Sequence, residues 1–152
     1  MARTITVSAT TEILASPAIV RSVFLDFPRY KQWYPGMFIE PVDSGKKPSE
    51  LVKGDRLKLS IGGLPFRAPV TENSTNCFSW DGSFFGLVSG HHQFFFSPSK
   101  ENPGSTTFTN KEDYSGALLI FFGDGENVKK NSEVNYEKFN EALKNEVEKP
   151  SS

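Results

Sequence analysis

The chain has 152 residues, of which 37% are hydrophobic and 14 are Phe, so a modest apolar fraction can still line a sizeable interior. Seventeen basic against eighteen acidic residues leave a net charge of -1, which supplies neither the basic face that meets nucleic acid nor a polybasic anchor for anionic membranes. The single cysteine, Cys77, excludes an intrachain disulfide and a paired-cysteine metal site, and it fits a reducing compartment.

The length suits one domain over 1–152, with 149–152 as a frayed tail. Met1–Thr4 carries no apolar signal region, and the longest apolar run, Ala117 to Phe122, is too short to span a bilayer. A soluble, cytoplasmic protein with no integral membrane segment is expected.

Residues 4–13 alternate, with Ile5, Val7 and Ala9 on one face, as in a half-buried strand. Ser16-Pro17 reads as an N-cap followed by proline at the first helical position. Ile19, Val20, Val23, Phe24 and Phe27 then recur at helical spacing. Pro28 ends that helix, and a second short turn, Arg29 to Trp33, stops at Pro35-Gly36.

From about residue 38 the pattern becomes β. Strands are expected at 38–42, 55–61, 66–71, 77–84, 88–97 and 106–114. Gly62-Gly63 and Asn102-Pro103-Gly104 mark turns between them. Pro65 and Pro69 demote their strand to an edge or bulged one. After Gly123-Asp124-Gly125 a helix is expected over 126–148, with Val128, Tyr136, Phe139, Leu143 and Val147 on one stripe.

The order is strand, two short helices, six strands, long helix. Antiparallel strands curl, and one amphipathic helix covers the concave face. This is an α+β chain with a curved seven-stranded sheet wrapped around its C-terminal helix. A single helix leaves a cavity unless large side chains fill it.

Ile13-Leu14-Ala15-Ser16-Pro17, followed by Val23-Phe24, Asp26-Phe27, Tyr30, Trp33 and Pro35, resembles the opening of the SRPBCC superfamily. Trp80-Asp81-Gly82, then Gly90 through Phe96, then Gly104 through Phe108 with Glu112 and Ser115-Gly116, is similar to its polyketide cyclase/dehydrase and lipid-transport branch. Phe139-Asn140 with Ala142-Leu143-Lys144 fits the same pattern. The resemblance implies a START/Bet v 1-like helix-grip fold over residues 5–148. It does not choose among the carriers, receptors and enzymes that share that fold.

The densest set of candidate functional residues lies on three neighbouring strands. Alternation puts His92, Phe94 and Phe96 on one face, and Phe108, Asn110, Glu112 and Tyr114 on one face of the next strand. Phe78 and Trp80 share a face of the preceding strand. A hairpin at Asn102–Gly104 sets His92 opposite Asn110 or Glu112, with Trp80 beside it. The carboxylate would hold one imidazole tautomer, and a His92–Glu112 pair could serve as general acid and base. Equally, the two could only satisfy each other, or Glu112 could reach Arg67 or Arg56.

Trp33 and Tyr34 are expected to border the cavity mouth, with Phe139 as a further ligand contact, or Trp33 packs against the C-terminal helix; Gly62–Pro65 forms a second gate or only a tight turn. His91 points outward. The stretches Phe84–Leu87 and Leu118–Phe122 would make a homodimer contact if exposed, and ordinary core if buried. Asn73-Ser74-Thr75 reads as a turn rather than a glycosylation site. No metal or other cofactor is called for.

Two functions follow from these residues. The first is binding of a small hydrophobic molecule, aromatic, polyketide-like or lipid. The second is a cyclase, dehydratase or isomerase of natural-product biosynthesis that uses His92 and Glu112.

Overall fold

The computed structural model describes residues 4–84, 86–117, 119 and 125–150. Phe85, Leu118 and 120–122, named above as a dimer contact or core, lie outside the described residues, as do 1–3, 123–124 of the expected turn and 151–152 of the tail.

Strand β1 (Thr4–Ile13) buries Ile5, Val7, Ala9 and Ile13. Helix α1 (Pro17–Leu25) begins at Ser16, whose hydroxyl accepts the Ile19 N–H at 3.3 Å, with Pro17 in its first turn. A 3₁₀ turn (Phe27–Arg29) and helix α2 (Tyr30–Trp33) follow. The Tyr30 hydroxyl donates to the Phe24 carbonyl at 2.5 Å and ties this turn back to α1.

Six more strands follow: β2 (Met37–Pro41), β3 (Arg56–Ile61), β4 (Leu64–Asn73), β5 (Cys77–Phe84), β6 (Val88–Pro98) and β7 (Thr106–Ser115). Together with β1 they form one antiparallel sheet in the order β1-β7-β6-β5-β4-β3-β2. Helix α3 (Glu126–Glu148) packs against β1 and α1 and buries Tyr136, Phe139, Asn140 and Leu143. This is the helix-grip α+β arrangement.

Gly62 and Gly63, at φ 58° and 84°, close the β3–β4 hairpin as a two-residue turn that few other residues tolerate. The two prolines of β4 do not make it an edge strand, since β3 and β5 flank it. A bulge does interrupt its ladder to β5, between Val70 and Glu72. Among the described residues the β4–β5 ladder joins Val70–Asn73 to Phe78–Trp80 with a register shift, and Pro65 and Pro69 lie outside it. Neither proline has an N–H to offer the ladder.

Much of the concave face is solid. Phe24 of α1 reaches into it, with ring centroids 4.7 Å from Phe94, 5.4 Å from Phe96 and 5.7 Å from Phe78. Phe139 of α3 and Phe108 of β7 close the cluster at 6.2 and 6.3 Å. Burying one such side chain stabilises the fold by roughly 1.5–3 kcal/mol, so a filled interior wins over a hollow one where the rings fit. The cavity expected between sheet and C-terminal helix is therefore closed in its middle, and α1 supplies the plug.

Candidate functional site

Three cross-strand neighbours lie in register on the inner face: Trp80 on β5 pairs with His92 on β6, which pairs with Glu112 on β7. His92 is 7% exposed, and its ring stacks on Phe94 with centroids 4.4 Å apart and planes 17° from parallel. Trp80 lies 5.0 Å from His92 and 5.1 Å from Phe94, so the three rings form a triangle. Position 92 thus puts a polar ring at the end of an aromatic stack.

Both imidazole nitrogens have partners. His92 Nε2 lies 2.7 Å from Asn110 Oδ1, a carbonyl oxygen that only accepts, so Nε2 donates. Asn110 itself is 1% exposed. Nδ1 faces Glu112 Oε1 at 3.4 Å. Neither Arg56 nor Arg67 pairs with this carboxylate.

Helix α3 completes the arrangement. The Tyr136 hydroxyl donates to Glu112 Oε1, and the Tyr114 hydroxyl lies 2.9 Å from the Tyr136 hydroxyl. Tyr136 has one proton, directed at the carboxylate, so Tyr114 is the donor of the second bond. Burial, and next the Glu112 charge, raise both phenols above their ordinary range. The result is a chain Tyr114–Tyr136–Glu112–His92–Asn110.

This chain meets open space at one end. A pocket of about 240 Å³ is walled by Ile61, Leu64 and Phe66 of the β3–β4 hairpin and by Trp80 and Gly82 of β5. His92, Glu112, Tyr114 and Tyr136 form its polar end, with Ser132 and Asn135 of α3. Two features of the sheet create the space. The β4–β5 ladder stops short of Gly82, which lets the hairpin lean away. Gly82 and Gly90 are partners on the inner face and project nothing into it. Ile61 and Leu64 stay 41% and 57% exposed at the rim, so the Gly62–Pro65 turn borders the opening.

Of the candidate residues, the structure brings His92, Glu112, Asn110, Trp80 and Tyr114 together. It does not bring the phenylalanines to the pocket. Phe78, Phe94, Phe96 and Phe108 pack around Phe24 instead of lining a cavity, because α1 occupies the space they would border. Trp33 and Tyr34 pack on Phe139, at 5.7 and 5.1 Å, away from this pocket.

Tyr136 is the site residue that strand phase could not reveal. Its place on the α3 stripe marks it as buried, and only the register between helix and sheet marks it as a partner of Glu112. Gly82 and Gly90 carried a signal: glycine inside a strand often marks a close approach by another group.

Elsewhere the chemistry is structural. His91 points outward, with Nδ1 2.6 Å from Asp81 Oδ1. Cys77 is buried, and that burial, next the Glu72 charge, pushes its thiol up to about 11, which leaves it a poor nucleophile. Asn73 donates to the Pro48 and Leu51 carbonyls at 3.2 and 2.9 Å, so its amide serves the fold. A wider groove of about 670 Å³ between α1 and the end of α3 includes Glu146, which pairs with both Arg29 and Lys149. No three His, Cys, Asp or Glu among the described residues are grouped to hold a metal ion. No helix among them is long and apolar enough to cross a membrane.

The family model described as polyketide cyclase / dehydrase and lipid transport matches residues 4–148. Among solved structures, a START superfamily protein from Mycobacterium smegmatis is 24% identical over 94% of this chain and 97% of its own, with a TM-score of 0.71. Truncated norcoclaurine synthase from Thalictrum flavum is 13% identical over 99% of this chain and 97% of its own, also at 0.71. A hypothetical protein from Helicobacter pylori reaches 0.74 at 14% identity, over 94% of this chain and 88% of its own. No curated protein matches the chain.

Proposed function

This chain belongs to the polyketide cyclase / dehydrase and lipid transport family of the SRPBCC superfamily, and from that premise we propose that it binds a compact hydrophobic molecule in the pocket beside His92. One observation carries the reading. An apolar wall of Ile61, Leu64, Phe66 and Trp80 faces a single cluster of polar groups around Glu112. Small-molecule sites have this composition: apolar area gives affinity, and a few fixed polar groups orient the ligand.

The pocket volume of about 240 Å³ lies below the roughly 300–1,000 Å³ usual for drug-sized ligands. A ligand of one or two rings suits it better than a long acyl chain, which the Phe24 plug would stop. The test is native mass spectrometry of the protein purified from its source cells, beside a Gly82→Leu variant that fills the pocket. The wild-type chain is expected to release a small molecule that the variant lacks. Equal recovery from both would refute the site.

A second reading is favoured by the chain Tyr114–Tyr136–Glu112–His92. A carboxylate and an imidazole 3.4 Å apart beside a sheltered pocket can take and return a proton on a bound carbonyl or acidic C–H. That is the acid–base step of a cyclase, dehydratase or isomerase. It requires that His92→Ala and Glu112→Gln each abolish conversion of a candidate precursor while the circular dichroism of the fold is retained.

A further inference from the structure

We infer that the polar end of this pocket selects ligands that donate a hydrogen bond, a hydroxyl or a protonated amine on a compact ring, and rejects carboxylates and phosphates. The inference rests on the binding reading above and adds the ligand's head group to it.

The argument is a count of protons and lone pairs. The Tyr136 proton goes to Glu112, and the Tyr114 proton goes to Tyr136. Both ring nitrogens of His92 are turned to protein partners, Asn110 and Glu112. Both phenolic protons are therefore spent inward, and Trp80, which carries an indole N–H, lines the opposite, apolar part of the pocket. At the Glu112 end what remains is acceptor capacity, the second carboxylate oxygen. Ser132 and Asn135 at the rim can play either part and do not discriminate.

Charge points the same way. No lysine or arginine is among the described residues that line the pocket, and Glu112 lines it. An anionic ligand would be desolvated beside a carboxylate with no lysine or arginine to offset it. A donor would instead meet acceptors in a low-dielectric site, where such a bond is strong and a missing partner is costly.

The test is an NMR titration of the ¹⁵N-labelled wild-type protein with four probes of one shape: 4-ethylphenol, 2-phenylethylamine, ethylbenzene and 3-phenylpropionate. The Trp80 indole and the Glu112 amide report on the pocket. The phenol and the amine are expected to shift both signals and to bind at least about tenfold more tightly than 3-phenylpropionate. Their order shows whether a hydroxyl or an ammonium is the better match. In Glu112→Gln that preference should collapse.

Binding of 3-phenylpropionate or ethylbenzene as tightly as the donors would overturn the head-group inference and leave the pocket reading standing. Failure of all four to shift Trp80 would overturn both. The wild-type titrations decide the matter even if the variant does not fold.

Discussion

Gly90 and Glu112 compete for one space: a β-carbon at position 90 would lie 2.1 Å from Glu112 Oε2. The glycine is thus what allows the carboxylate to lie flat against β6, between His92 and Tyr136. Gly90→Ala is expected to push the carboxylate off Tyr136, to cost about 1–3 kcal/mol by overpacking, and to weaken ligand binding. Denaturant unfolding measures the first effect and a ligand titration the second. An unchanged affinity would show that the carboxylate position does not matter for binding.

Tyr136→Phe removes a hydroxyl and little volume. It leaves Glu112, whose side chain is 13% exposed, without its phenolic donor. The expected loss is about 1–3 kcal/mol, the range for a buried polar group deprived of its partner. A double-mutant cycle with Glu112→Gln should recover much of it, because the two groups act on each other.

Alkaline stability should fall in a defined window. Burial raises Tyr30, Tyr114 and Tyr136 above the ordinary phenol value of 10.0. Below that value both the folded and the unfolded chain hold these protons. Above it the unfolded chain releases them first, so stability declines as pH rises, by at most about 1.4 kcal/mol per pH unit per phenol. Unfolding free energies measured between neutral pH and pH 11 should show the decline, with a shallower slope in Tyr136→Phe.

The acid limb should respond to Glu12. Hydrogen bonds from Ser99, then Thr107, hold its carboxyl below the ordinary value of 4.5, joining the β6–β7 turn to β1. The stabilisation is present above 4.5 and is lost as pH falls through the lowered folded value. Glu12→Gln should flatten the acid side of the stability profile, lower the plateau above it and leave the alkaline slope unchanged.

Phe24→Ala removes the ring that six other phenylalanines surround. The expected cost is about 3–5 kcal/mol, at the upper end for core truncations, because rings fixed on a sheet cannot collapse into the gap. Thermal or denaturant unfolding checks the magnitude. A loss below about 2 kcal/mol would mean that α3 or α1 shifts inward to refill the space.

Much of this architecture is legible in the sequence, for reasons that particular residues make clear. Alternation along β6 and β7, with a turn at Asn102–Gly104, is enough to place His92 across from Asn110 or Glu112, because a strand has a period of two; the pairing itself selects Glu112. Ser16-Pro17 announces α1 through its cap. The closing of the interior is not legible in the same way. Phe24 looks like any apolar residue on a helical stripe, and its depth depends on how α1 crosses the sheet. Tyr136 is hidden for the same reason: periodicity tells which face of a helix is buried, not which side chain waits opposite. The acceptor-rich end of the pocket arises from contacts that join β7 to α3, between residues 22 and 24 positions apart.

The plug has a further consequence for how such a scaffold changes. Capacity is metered by one ring on a nine-residue helix, while the hydrogen-bonding constellation belongs to the sheet and α3. Size and chemistry are therefore separable: trimming position 24 would trade folding free energy for room without disturbing the polar terminus, and altering that terminus would redirect recognition without enlarging anything.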